Sequence, residues 1–273
     1  MRFIYAFIAG LIQGATEFLP VSSSGHLIIF YTLVGADDNN LSFTVFLHLA
    51  TLLSICFVFR GDILSLFNEI VMLTRRAADK PEDGNRSVLL LLTATIPAFI
   101  VGVLIKLLNI TDFLDNIFVV GAMLLLTAAL LFKTDRFKDG GITEKDASYK
   151  SALIIGLIQA AAIMPGLSRS GATIFGGRLC GFTKDFAVKF AFLLSIPVIL
   201  GAGLVEFIDL YNSDLFTFDP AWLLGFIAAS VSGIFAIKFI NILVRAGKLY
   251  IFGVYCVIAA IAAFITGFLK FIP

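Results

Sequence analysis

Charge is what this chain has least of. Only 14% of its 273 residues are Asp, Glu, Lys or Arg and 59% are hydrophobic, whereas a soluble domain carries roughly 25% charged residues. With a mean hydropathy of +1.01, that scarcity excludes an ordinary water-soluble domain and leaves an integral membrane protein. Cysteine is scarce too. Cys56, Cys180 and Cys256 lie in or beside apolar stretches with no metal-ligand spacing between them, so they read as inert core thiols. No small-residue cleavage site follows Arg2 and its apolar run, so the N-terminus is expected to be retained rather than removed as a signal peptide. The net charge of +1 says less about partners than the placement of the charges does. Nucleic acid is not an expected partner.

What is present is a series of long apolar runs: Leu41 to Phe59, Ser87 to Leu108, Ile117 to Phe132, Phe186 to Ile208, Ala221 to Ile240 and Leu249 to Leu269. About 20 apolar residues in a helix cross a hydrocarbon core of roughly 30 Å, so these runs predict six spans. Lys and Arg gather in three connections. The first holds Arg60, Arg75, Arg76, Lys80 and Arg86, the second Lys133, Arg136, Lys138, Lys145 and Lys150, and the third Lys238, Arg245 and Lys248. The connections Asn109 to Asp115 and Asp209 to Asp219 contain no Lys or Arg and five Asp between them. The basic connections therefore face the cytoplasm, and both termini are expected on the extracytoplasmic side. Gly61 to Ala78 has Ile63, Phe67, Ile70 and Val71 at helical spacing and a basic end, which predicts a helix along the cytoplasmic interface.

Two further stretches resemble each other. "GLIQGATEFLPVSSSGHL" begins at Gly10 and "GLIQAAAIMPGLSRSGAT" at Gly156. At an offset of 146 the first four residues coincide, and Ser22, Ser24 and Gly25 match Ser168, Ser170 and Gly171. Each copy is a short apolar run, a proline (Pro20 or Pro165), small polar residues and a second short apolar run, followed by three spans. An odd number of spans reverses the second half relative to the first, which is an inverted-topology repeat. The expected fold is all-α: six transmembrane helices plus two re-entrant helix-loop-helix segments, residues 1–35 and 151–184, whose tips meet at membrane depth. One membrane domain is divided into a first half at 1–133, a cytoplasmic linker at 134–150 and a second half at 151–273.

An ionisable group at membrane depth is a functional hypothesis by default. Glu17 is the only acid of the first segment, while Arg169 and Arg178 are the basic residues in the membrane-depth part of the second. A purely structural salt bridge between Glu17 and Arg169 is the plainer reading, but the surrounding hydroxyls add chemistry a bridge does not need. In "PGLSRSGAT", Arg169 suits bidentate contact with phosphate oxygens, and Ser168, Ser170 and Thr173 supply hydroxyl donors. Gly166 and Gly171 permit close backbone approach, and a helix starting near Ser170 would aim free amides at the same anion. His26 suits a general base or a nucleophile. Glu17 is able to orient His26 or hold a divalent cation, and Gln13, one turn earlier, offers an uncharged oxygen. His48, in "FLHLA", reads as a helix-packing hydrogen bond.

These residues resemble the bacterial undecaprenyl-pyrophosphate phosphatases, also called bacitracin-resistance proteins, along essentially the whole chain. "QGATEFLPVSSSGH" fits the family's pattern of Glu or Gln, three residues and Glu with a downstream Ser-Ser-x-Gly-His, and "PGLSRSGAT" fits its Pro-Gly-x-Ser-Arg-Ser-x-x-Thr motif. The resemblance implies hydrolysis of the C55 polyprenyl pyrophosphate to its monophosphate, recycling the lipid carrier of peptidoglycan synthesis in the bacterial cytoplasmic membrane, with the active site opening outward. It implies catalytic roles for Glu17, His26 and Arg169, with Ser23 beside them. Gln13, Ser22, Ser168, Ser170, Gly171 and Thr173 become substrate-binding positions. It also implies a divalent cation, Mg2+ or Ca2+, at Glu17 and the substrate phosphates. Gln13 leaves one carboxylate fewer than the family's acidic pair, which argues against a tight protein-only metal site. The nucleophile is open among His26, Ser23 and water, and a homodimer is an open partner.

Two other classes compete. Inverted repeats with broken helices are the usual design of secondary transporters, so transport or flipping of an anionic lipid or solute is the alternative. His26 beside Glu17 discriminates against it, since solute binding needs no base. A structural scaffold would explain the repeat but leaves Glu17 and Arg169 as an unexplained cost.

Overall fold

Within a bilayer every backbone amide needs a partner inside its own segment, and for long apolar runs that leaves the helix. The computed structural model describes residues 2–34, 41–75, 86–108, 114, 116–212 and 219–270. They form eleven helices: α1 (Arg2–Phe18), α2 (Ser23–Val34), α3 (Leu41–Val58), α4 (Arg60–Arg75), α5 (Arg86–Leu108), α6 (Ile117–Thr134), α7 (Tyr149–Ala161), α8 (Arg169–Leu179), α9 (Lys184–Asn212), α10 (Ala221–Arg245) and α11 (Tyr250–Lys270). Arg76, Lys80, Ala78, most of the two Asp-bearing connections and the ends of the first re-entrant segment lie outside the described residues.

The six expected spans are α3, α5, α6, α9, α10 and α11, and their apolar lengths make the chain a multi-pass membrane protein. α4 turns away from α3 by 91°, the geometry expected of a helix lying along a membrane face. Large side chains such as Leu107, Phe235 and Phe268 are exposed around the outside of the bundle. In water they would form an aggregation surface; in a bilayer they are the lipid contact.

Packing follows the repeat. α1 lies along α10 as α7 lies along α5, α3 packs on α10 as α9 packs on α5, and α11 touches α2 as α6 touches α8. Exchanging the two halves maps each of these contacts onto its mate, while α6 against α11 and α3 against α9 map onto themselves. The repeated Gly-Leu-Ile-Gln shows why the sequence is duplicated here. A Cβ on Gly10 would stand 2.1 Å from the carbonyl oxygen of Gly225, and one on Gly156 would stand 2.5 Å from that of Ala94. Each re-entrant helix thus reaches its partner span backbone to backbone, which only glycine permits. Arg2 pairs with Asp219 at 3.2 Å, and Gly267 packs against Ile117 and Phe118, so the start of α1 and the end of α11 share one side of the bundle with the starts of α10 and α6.

Of the two arginines in the second segment, Arg178 belongs to the architecture. Its side chain is buried and bonds Asp139 at 2.7 Å and the carbonyl oxygens of Phe137, Lys138 and Phe182 at 3.2, 2.8 and 2.7 Å. Ile142 completes the attachment with a bridge to the Gly181–Thr183 backbone. Partial desolvation pushes the Asp139 carboxyl up, but the Arg178 side chain and the Lys184 amide outweigh it and hold it below the usual carboxylate range. That contribution is fully present above the ordinary carboxylate value of about 4 and is lost as pH falls further, through the lowered value.

Two outcomes are expected in detergent melts. Gly156→Val forces α7 off the α5 backbone and destabilises the protein by more than about 3 kcal/mol. Arg178→Ala releases the connection between α6 and α7, costs on the order of 3 kcal/mol, and opens residues 135–148 to protease; an unchanged melt and cleavage pattern refutes the clamp.

Candidate active site

Both re-entrant segments break where the sequence places proline and small polar residues. α1 ends at Phe18, Pro20 lacks the N–H a continuing helix needs, and α2 begins at Ser23. Ser22, between them, has a φ of 70°, a left-handed backbone that costs a non-glycine residue energy and persists where the surroundings enforce it. The Ser22 hydroxyl accepts from the amide of Gly25 at 3.4 Å and from Gly166 of the other tip at 3.1 Å. In the second copy Ser168 caps α8, accepting from the amide of Gly171 at 3.1 Å. The hydroxyls of Ser22 and Ser24 lie 3.3 Å apart, and those of Ser168 and Ser170 lie 3.1 Å apart. The matched serines are therefore the caps of two half-helices. Gly166 has a φ of +92° and lies so close to Val120 that a Cβ would stand 2.4 Å from its carbonyl oxygen. Thr127 of α6 fastens the second tip, donating to Gly166 O and accepting from Ser168 N, both at 3.0 Å.

The tips meet, and the charges expected to pair do so. Arg169 donates to Glu17 Oε1, while Oε2 of the same carboxylate accepts from Ser23 Oγ at 2.5 Å and Gln13 Nε2 at 3.0 Å. The Glu17 side chain is only 3% exposed, so these donors replace the water it has lost. Gln13 corrects an expectation. It turns its amide N–H to Glu17, because a carboxylate can only accept, and its own oxygen is buried without a partner. It holds Glu17 rather than offering a second oxygen beside it.

A cavity of about 210 Å³ opens at this junction, lined by Glu17, Ser22, Ser23, Ser168 and Arg169 together with His48 and Gln159. Three of the expected site residues lie behind it. Ser170 donates to Leu19 O at 3.3 Å and Gly171 packs on Pro20, contacts that tie the tips together, while Thr173 bonds the carbonyls of its own helix. His26 is not on the cavity. Its Nδ1 lies 2.8 Å from Ser22 O, its Nε2 lies 2.7 Å from the Tyr255 hydroxyl of α11, and the two rings stack at 5.4 Å.

The residues missed are informative. Gln159 matches Gln13 in the repeat, so the duplication alone pointed to it; like Gln13 it is buried with an unpartnered oxygen. His48 bonds within its own helix, to Thr44 O at 2.9 Å, rather than to a packing neighbour as expected, and its ring lines the cavity. Thr127 and Tyr255 carry no local signal, because their importance comes from helices that pack together across the fold.

Among the described residues no group of three or more His, Cys, Asp or Glu side chains is arranged to hold a metal ion. Among the described residues Glu17 is the one carboxylate on the cavity, and both its oxygens are occupied by side-chain donors. Since Ca2+ takes six to eight oxygens and Mg2+ about six, this donor set does not fit a cation held by the protein alone.

A family model described as bacitracin resistance protein BacA matches residues 6–262. A protein of Halothermothrix orenii is 38% identical over 268 residues, covering 96% of each chain. One from Bacteroides thetaiotaomicron is 41% identical and covers 97% of this chain and 99% of its own. One from Methanosphaera stadtmanae is 39% identical, with 95% and 96% covered. All three are named undecaprenyl-diphosphatase.

A double-mutant cycle tests the central pair. Glu17→Ala leaves a guanidinium without its counter-charge and Arg169→Ala leaves a buried carboxylate, each costing about 3 kcal/mol or more. The double variant is expected to lose less than the sum, by roughly 1 to 3 kcal/mol; additive losses refute the coupling.

Proposed function

The chain belongs to the bacitracin resistance protein BacA family, and from that premise we propose that it hydrolyses undecaprenyl diphosphate to undecaprenyl phosphate and inorganic phosphate. The product is the lipid carrier that peptidoglycan synthesis consumes. One observation carries the reading: the Ser23 hydroxyl and the Arg169 guanidinium meet on one buried carboxylate at the edge of a cavity whose other walls are largely apolar. At about 210 Å³ the cavity has room for a diphosphate and none for fifty-five carbons, so the tail stays among lipid while the headgroup reaches the tips.

Phosphoryl transfer asks mainly for positioning and charge stabilisation. Of the three nucleophiles the sequence leaves open, Ser23 has the best geometric support. Its O–H already points at Glu17, whereas Nε2 of His26 is engaged by Tyr255. Ser23 Oγ attacks the terminal phosphorus, its proton passes to Glu17, and the bond to the bridging oxygen breaks to release undecaprenyl phosphate. Arg169 gathers the charge on the terminal oxygens. Water then displaces Oγ and frees phosphate. Mg2+ or Ca2+ enters this reading as the diphosphate's own counter-ion, neutralising charge when bound.

The cavity opens away from the cytoplasm in this reading. Ala98 of α5, Val198, Ile199, Ala202 and Gly203 of α9 and His48 of α3 line it, all from the halves of those helices remote from the basic connections. The same charge asymmetry puts both termini outside. The transport alternative has less support: the three relatives carry the name of a hydrolase, and solute binding has no use for a serine poised on a carboxylate.

The test is phosphate release from C55 diphosphate by purified protein, with and without chelator. Wild type is expected to turn over, and Ser23→Ala and Arg169→Ala to lose roughly 100-fold or more while remaining folded. Absence of release by wild type under every metal condition refutes the reading; full activity of Ser23→Ala refutes that nucleophile.

A further inference from the structure

On a serine route the water that attacks phosphorus must give up a proton to a base. Glu17 receives the Ser23 proton in the first step and must return it when Oγ leaves. Unless Glu17 first passes that proton to the departing phosphate, the water that frees the inorganic phosphate loses its proton to another group on the cavity.

His48 of α3 meets the requirement. It lines the cavity with Glu17, Ser23 and Arg169. Its Nδ1 lies 2.9 Å from Thr44 O, and since a carbonyl only accepts, Nδ1 carries the proton and Nε2 keeps its lone pair. Nε2 has no hydrogen-bond partner among the described residues, whereas the corresponding nitrogen of His26 is occupied by Tyr255. Around His48 the charged groups on the cavity are Glu17 and Arg169; α5 and α9 contribute only small or apolar side chains there.

Resting on the phosphatase reading, we propose that His48 is the catalytic base of the second half-reaction. The water oxygen bonds to phosphorus as the P–Oγ bond of Ser23 breaks. The water proton passes to Nε2 of His48, and Glu17 returns its proton to Oγ. Inorganic phosphate leaves, and His48 then gives up the extra proton to phosphate or solvent.

The experiment uses the full chain in detergent with C55 diphosphate labelled in its terminal phosphate. In His48→Gln and His48→Ala, turnover is expected to fall roughly 100-fold, label to remain on Ser23 after rapid quench, and added imidazole to restore about tenfold in His48→Ala alone. Rescue by imidazole requires a folded cavity, so the test stays decisive where a substitution lowers stability. Turnover of His48→Gln within about threefold of wild type overturns the proposal, as does a loss with neither retained label nor imidazole rescue. Absence of turnover in wild type overturns the phosphatase reading instead.

Discussion

Glu17 and Arg169 come from opposite halves of the chain, 152 residues apart, and are held at membrane depth, where each would be costly alone. Their pairing joins the two re-entrant tips, and the rest of the structure is arranged to make it tolerable. Gln13 and Ser23 supply the carboxylate's remaining donors. Ser22, in its left-handed backbone, reaches across to Gly166, and Thr127 holds Gly166 and Ser168 from α6. The tips are non-helical backbone inside a membrane protein, acceptable only because protein rather than lipid surrounds them.

The duplication supplies this junction economically. Ser22 and Ser168 cap matching half-helices, Gly10 and Gly156 press matching helices onto spans, and Gln13 and Gln159 are buried in matching turns. Divergence then divides the junction: the first copy keeps the carboxylate and the Ser23 hydroxyl bonded to it, the second the arginine. Neither half holds a complete site, so the chemistry exists only when the halves are assembled. The transporter-like architecture serves here to bring two half-sites to one cavity.

The same duplication also separates structure from chemistry among residues that look alike. The serines of both motifs read as phosphate donors in the sequence, yet Ser170 spends its hydroxyl on the other tip, Thr173 on its own helix and Ser168 on a cap. Arg178, buried like the groups of the site, is committed to the connection between α6 and α7. Ser23, by contrast, stands beside the cavity with its proton aimed at the Glu17 carboxylate.

Much of this was legible in one dimension. The six spans follow from apolar length, the repeat from Gly-Leu-Ile-Gln and the matched serines, and the meeting of Glu17 with Arg169 from the high cost of leaving either unpaired. These rest on periodicity, local propensity and charge balance, which a linear chain carries. Which side of α2 faces the cavity, and so whether His26 or His48 offers it a free nitrogen, was decided only by the packing of α2 against α11 and α3 against its neighbours. An imidazole's task depends on what lies beyond it, and for Tyr255, Thr127 and Gln159 that neighbour is distant in sequence. The chain therefore determined by itself what chemistry is buried, and the tertiary structure decided which atoms face one another.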